Sequence, residues 1–258
     1  MPRRLAQDFS AQSKARKVNS EAEVKRKADE YHRTGMPYQL AMAVALGKVT
    51  LSDALERMAR QDKVAALMKR HDLSRALATQ IALGHADLER VLFRQRYETH
   101  RDTHRDDSIL DVHAESGAPL TLNLHGGRRI HVIVESVSTY GFTVREEGQE
   151  PEEIHKLQAL AAWSPDDWKR VRKVLKTDKE RAAEPKGPIE KPQDRYPCSD
   201  KRLFRYCDSG ATVVMTLLEG MLITGQITRV GRYEIGLRIK GDADVVVFRH
   251  ALDNLREA

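Results

Sequence analysis

Aromatic residues are scarce in this 258-residue chain, at 5% of the total, and cysteine is nearly absent, with only Cys198 and Cys207. Hydrophobic residues make up 40% and charged residues 32%, which predicts several modest cores joined by solvated segments instead of one large core. The two cysteines form no CxxC pair; this points away from a disulfide framework or a zinc site and fits a reducing, cytoplasmic setting. No apolar run follows Arg3 and Arg4, so no signal peptide is read. No stretch approaches the ~18 apolar residues of a membrane span. A nucleophile elbow, a glycine-rich phosphate loop and a metal triad are also missing, so the chain is not read as an enzyme and neither cofactor nor metal is expected.

Positive charge is what the chain does have. The formal net charge of +6 suggests an acidic partner, most commonly nucleic acid. Residues 1–35 are polar, with Lys14, Arg16, Lys17, Lys25, Arg26 and Lys27 set among Glu21, Glu23, Asp29 and Glu30, and read as a basic tail or a solvated helix.

Residues 36–98 predict a helical domain with an internal repeat. Leu40-Ala41 and Ala45-Leu46-Gly47, then Leu51 and Leu55, recur at an offset of 37 as Leu77-Ala78 and Ala82-Leu83-Gly84, then Leu88 and Leu92. Each copy reads as a helix closed by glycine, a turn and a second helix, giving about four helices in two hairpins. Pro37 suits a first turn, Thr50 with Asp53 approaches a capping box, and Asp87 caps the helix carrying Leu88. Such a unit reads either as a DNA-binding motif or as a plain helical hairpin. Asp53, Glu56, Asp87 and Glu89 would set carboxylates against phosphates, which favours the hairpin. His100 and His104, in the doubled Thr-His-Arg-Asp of 99–106, share a helix face at i,i+4. No third ligand has suitable spacing, so a charged connecting segment is expected there.

The period then changes to two. Leu120, Leu122 and Leu124 alternate with Thr121 and Asn123, a turn follows at His125-Gly126-Gly127, and strands are read over 130–134 and 140–144. Residues 164–200 read as a linker, with a short helix through Trp168, Val171 and Leu175 and then Pro185, Gly187, Pro188, Pro192 and Pro197. Alternation returns over 212–218, 221–230, 233–239 and 245–248. A small, strongly bent antiparallel barrel buries strands this short.

The C-terminal segment resembles the Hfq branch of the Sm-like family. A strand ends at Glu219-Gly220 where the family has Asn-Gly, and Gly225-Gln226-Ile227 follows. Arg232-Tyr233 stands for a Gln-Phe pair, and Phe248-Arg249-His250-Ala251-Leu252 for Tyr-Lys-His-Ala-Ile. The match spans roughly 208–256. Residues 107–163 resemble a more diverged copy, carried by Asp107-Ser108-Ile109-Leu110-Asp111, His125-Gly126-Gly127, Glu135-Ser136, Thr139-Tyr140 and Ile154-His155-Lys156-Leu157 with its basic pair reversed.

With the helical domain (36–98) and the linker (164–200) read from pattern, the resemblance adds a first Sm-like five-stranded β-barrel (107–163) and a second (201–258), for an α+β chain. It also implies a cytoplasmic RNA-binding protein that takes uridine-rich single strands at a ring pore, in post-transcriptional regulation or as an RNA chaperone. Tyr140 and Tyr233 would stack bases; Arg232, Arg249, His250, His155 and Lys156 would contact base edges or phosphates. The family's tyrosine on the first strand is Thr216 here and Asn123 in the first copy, which argues against purine binding on that face. Leu110 stands where a pore-side glutamine is expected. Six-module family rings imply a homotrimeric pseudo-hexamer. The competing expectation is a DNA-binding transcription regulator that uses the helical domain, with the barrels as assembly scaffold.

Overall fold

The computed structural model describes residues 20–258; the part of the expected basic tail in residues 1–19 lies outside the described residues. The chain divides into two compact units, up to Phe93 and Arg94–Ala258. The first is helical: α1 covers 20–33, followed by α2 (Tyr38–Ala45), α3 (Leu51–His71), α4 (Arg75–Ala82) and the start of α5 (Leu88–His104). The caps sit where the repeat places them. Thr50 Oγ1 accepts from Asp53 N at 3.1 Å, Ser74 Oγ from Leu77 N at 3.4 Å and Asp87 Oδ1 from Arg90 N at 2.8 Å, each satisfying one of the free N–H groups of a first turn. Two small cores result, around Ala28, Met36, Ala41 and Ala54, and around Val64, Leu73, Ala78 and Ile81. Met36 and Leu73, like Ala41 and Ala78, keep the repeat offset of 37. The equivalence therefore extends from sequence into packing.

The second unit carries the remaining elements: α6 (Ile109–Ser116), β1 (Leu120–Leu124), β2 (Arg129–Val137), β3 (Gly141–Glu146), β4 (Glu152–His155), β5 (Ala159–Trp163), α7 (Trp168–Val174), β6 (Lys176–Thr177), α8 (Lys179–Ala183), α9 (Asp200–Ser209), β7 (Thr212–Leu217), β8 (Met221–Val230), β9 (Glu234–Ile239), β10 (Ala243–Phe248) and β11 (Leu252–Glu257). The strands form one 11-stranded antiparallel sheet in the order β11-β7-β8-β9-β10-β5-β1-β2-β3-β4, with β6 added beside β8. Two runs of five, β5-β1-β2-β3-β4 and β11-β7-β8-β9-β10, thus repeat one order, each preceded by a helix (α6, α9). Matching register shifts bend both: β2 at Val134/Ser136 and β8 at Ile227/Arg229, where an extra residue kinks the ladder.

The chain is therefore α+β, as expected. The sheet is open, however, and does not form the two separate closed barrels read from the sequence. The physical reason is the join: the outer edge of β5 pairs with β10 of the second run, as Val245↔Trp163, Val246↔Ala162 and Val247↔Ala161. Buried apolar faces of both runs share one cluster, including Leu122, Val132, Phe142, Leu160, Met215, Ile223, Leu237 and Val247. Cys198 and Cys207 are free, half-buried thiols. No helix among the described residues is long and apolar enough to cross a membrane.

The expected linker is not a free tether. Residues 176–202 lie along the second run: β6 pairs with Leu222 and Met221 of β8, Asp178 N donates to Gly220 O at 2.8 Å, and Lys186 N to Leu218 O at 3.1 Å. Arg181 and Lys186 reach the Asp253 carboxylate at 3.0 and 2.5 Å. Tyr196 Oη and Arg202 Nη2 donate to Leu255 O at 3.4 and 3.0 Å. Gly220 is obligatory in this arrangement, with φ of +81° and space for a Cβ only 2.7 Å from Ala182 N.

Candidate nucleic-acid interface

Two tyrosines project from corresponding turns. Tyr140, between β2 and β3, is 73% exposed, and Tyr233, between β8 and β9, is 64% exposed. Each turn is held against a one-turn 3₁₀ helix by the same bond: Lys156 N donates to Tyr140 O at 2.8 Å, and Arg249 N to Tyr233 O at 2.9 Å. These 3₁₀ turns, Lys156–Gln158 and Arg249–Ala251, fix the true correspondence between the runs. Lys156 matches Arg249, Leu157 matches His250, and His155 matches Phe248 at the end of the preceding strand. The reversed basic pair read from the sequence is thus no pair. The first run has no counterpart of His250, and exposed His155 uses Nδ1 to accept from Leu157 N at 3.1 Å.

The other named residues divide by exposure. Arg232 is exposed, its guanidinium 5.1 Å from the Tyr233 ring centroid, close enough for cation–π attraction. Arg249 is engaged: it donates to Asp200 Oδ1 at 2.7 Å, to Gly231 O at 3.1 Å and to Cys198 O at 3.0 Å. Its fork holds three segments together and has little left for a ligand. His250 is buried, 9% exposed, with Nε2 2.8 Å from Ala159 O. Burial pushes its pKa down to about 4, against the Ala159 bond that raises it. It is therefore neutral at pH 7 and donates from Nε2–H across the join between the runs. Thr216 and Asn123 are also buried, so neither offers a stacking surface.

The two tyrosine turns differ in support. The Tyr233 turn is clamped by residues 100–109: Val230 N donates to His100 Nε2 at 3.0 Å, and Arg232 N to Arg105 O at 2.9 Å. Gly231 lets the chains approach, since a Cβ there would lie 3.2 Å from His104 O. Glu234 accepts from Ile109 N at 2.9 and 3.2 Å. Burial pushes the Glu234 pKa up to about 7, opposed by that N–H and by Arg229. His104 Nδ1 lies 2.8 Å from Asp107, so the His100–His104 face is spent on this clamp. No group of three metal-ligating side chains occurs among the described residues.

The clamp creates a cleft of about 420 Å³, lined by Arg101, Arg105, Arg232 and Arg249, by Tyr97, His100 and Phe204, and by Asp200. Sequence reasoning passed over Arg101 and Arg105. Their signal was present, two arginines at i,i+4 in the doubled Thr-His-Arg-Asp, but it was read as a charged connector. Set beside family models, curated proteins and solved structures, the chain matches none of them.

Proposed function

We propose that this chain binds uridine-rich single-stranded RNA through two Sm-like modules, residues 107–163 and 201–258, and acts in post-transcriptional regulation or as an RNA chaperone. One observation carries the reading: two exposed tyrosines, Tyr140 and Tyr233, sit at the same place in two five-strand runs of the same order, each beside a turn that begins with a basic residue. A large ring left in water offers a π face to an unpaired base, worth ~1–3 kcal/mol per base. Half-buried Lys156 and exposed Arg232 and Arg105 supply charge for the backbone. Burial of Thr216 and Asn123 speaks against purine stacking on the opposite face. Two modules per chain would make a six-module ring from three chains, provided β11 of one chain takes β4 of the next and residues 176–202 move aside.

The test compares a fluorescent uridine oligomer, an adenosine oligomer and a DNA duplex, at two salt concentrations. Tyr140→Ala and Tyr233→Ala are the variants to use, because Arg249 and His250 hold the fold. Each is expected to weaken uridine binding roughly 5- to 100-fold, with little effect on duplex. Equal weak binding of all three, unchanged in both variants, defeats the reading. Tight duplex binding that tolerates both changes would favour a DNA-binding regulator.

A further inference from the structure

We propose that the cleft between α5, α9 and the Val230–Arg232 turn is a second nucleotide subsite, for the nucleotide next to the base stacked on Tyr233. It rests on the RNA reading above and adds to it a surface outside both five-strand runs. Its α5 wall and its strand wall lie in one compact unit. They are fixed to each other by the Val230–His100 and Arg232–Arg105 bonds and by the Arg96–Asp208 pair at 2.8 and 2.9 Å.

The chemistry of the lining selects the ligand. Asp200, the carboxylate there, is neutralised by Arg249 at 2.7 Å. Arg105 is exposed and has no side-chain partner among the described residues. Among the described residues Arg101 pairs with its exposed neighbour Asp102, a contact that water screens and a phosphate can replace. Two guanidiniums one helical turn apart thus face an opening otherwise short of negative charge, and their planar forks suit phosphate oxygens. Behind them Tyr97 packs on Phe204 at 5.6 Å, and Phe204 on His100 at 5.0 Å, an aromatic wall that a free phosphate would leave unused. The volume, about 420 Å³, falls near the lower end of ~300–1,000 Å³ for small-ligand sites, room for one nucleotide. Arg232 lines the cleft and also lies over Tyr233, so a strand stacked on Tyr233 continues directly into it.

Binding of uridine oligomers two and six nucleotides long is measured for the wild type, for Arg101→Ala with Arg105→Ala, and for Tyr233→Ala, with uridine monophosphate as a separate probe. The double variant is expected to bind both the dimer and the hexamer about tenfold more weakly and to lower the log–log salt slope of each by ~0.7 per lost contact. Loss of hexamer binding in Tyr233→Ala alone overturns the cleft and spares the RNA reading. Failure of both variants to alter binding removes the RNA reading and the cleft with it. Uridine monophosphate bound as tightly as the hexamer, independently of Tyr233, overturns the continuous path.

Discussion

β5 and β11 hold the same place in their five-strand runs and meet opposite fates. β5 offers Ala161, Ala162 and Trp163 at its outer edge and receives β10 through Val247, Val246 and Val245. At the corresponding positions β11 carries Asn254, Leu255 and Arg256, and both main-chain groups of Leu255 are taken. Its carbonyl accepts from Tyr196 and Arg202, and its N–H donates to Asn254 Oδ1 at 2.8 Å. The other end of the sheet is blunted by charge, since β4 has Glu152, Glu153 and Ile154 where β10 has three valines. Uncharged apolar residues with free main-chain groups make an edge that joins; side chains that occupy the main chain, or charges along it, make one that ends.

The join also holds by bonds outside the ladder. His250 donates to Ala159 O, and the Glu219 carboxylate accepts from Gly126 N at 2.6 Å and Gly127 N at 3.2 Å. Breaking the join should therefore give the largest effect. Ala162→Glu puts an unpaired charge on a strand buried along its whole length, and is expected to cost ~3–5 kcal/mol. The denaturation midpoint reports it. Glu153→Lys, at the exposed matching end, should stay within ~0.5 kcal/mol. Similar losses in the two variants would mean that the edges do not differ as described.

Acid provides a gentler break. His250 titrates at about 4 folded against ~6.5 unfolded. Between those values the unfolded chain holds the extra proton, so stability falls as pH drops from 6.5 to 4, by roughly 3 kcal/mol in all. Glu234 acts in the opposite sense. Its carboxyl, at about 7 folded and ~4.3 unfolded, keeps a proton that the unfolded chain has released, so stability falls as pH rises towards 7. The wild type should be nearly flat between pH 4.5 and 6.5. Glu234→Gln should reveal the His250 slope, and His250→Gln the Glu234 slope, in urea titrations at each pH. A flat profile in both variants would contradict these assignments.

The terminal edge can be opened without touching the join. Tyr196→Phe with Arg202→Met removes both donors to Leu255 O, at about 1–2 kcal/mol. The freed edge should then take β4 of another chain, giving larger species that grow with concentration in sedimentation. A persistent monomer would show that β11 is closed by its own residues.

Much of the fold was legible because its signals are local. The glycine-ended helical repeat, the Thr50 and Asp87 caps, the Leu120–Leu124 alternation and the Met221–Val230 strand all depend on neighbours in sequence. β5 was missed because Ala-Leu-Ala-Ala-Trp, buried on both faces, shows no period of two. The 176–202 segment looked like a proline-rich linker, because its partners lie on strands tens of residues away. The site divided in the same way. Tyr140 and Tyr233 stand out by their resemblance to the family's Gln-Phe turn, whereas the fates of Arg249 and His250 are set by Asp200 and Ala159. Arg101 and Arg105 gain meaning only once α5 docks on Val230.

The finest distinction concerns Asn254. Its side chain satisfies the Leu255 N–H, and because Asn254 is exposed, water can replace it. Asn254→Ala should therefore cost only ~0.5–1 kcal/mol and leave the mass in solution unchanged, since Tyr196 and Arg202 still hold the carbonyl. Added to Tyr196→Phe and Arg202→Met, it leaves both groups of Leu255 open, which offers an incoming strand one more hydrogen bond. The triple variant should then associate more tightly than the double. If Asn254→Ala alone drives association, the edge is closed by its own side chain, and residues 176–202 merely pass alongside.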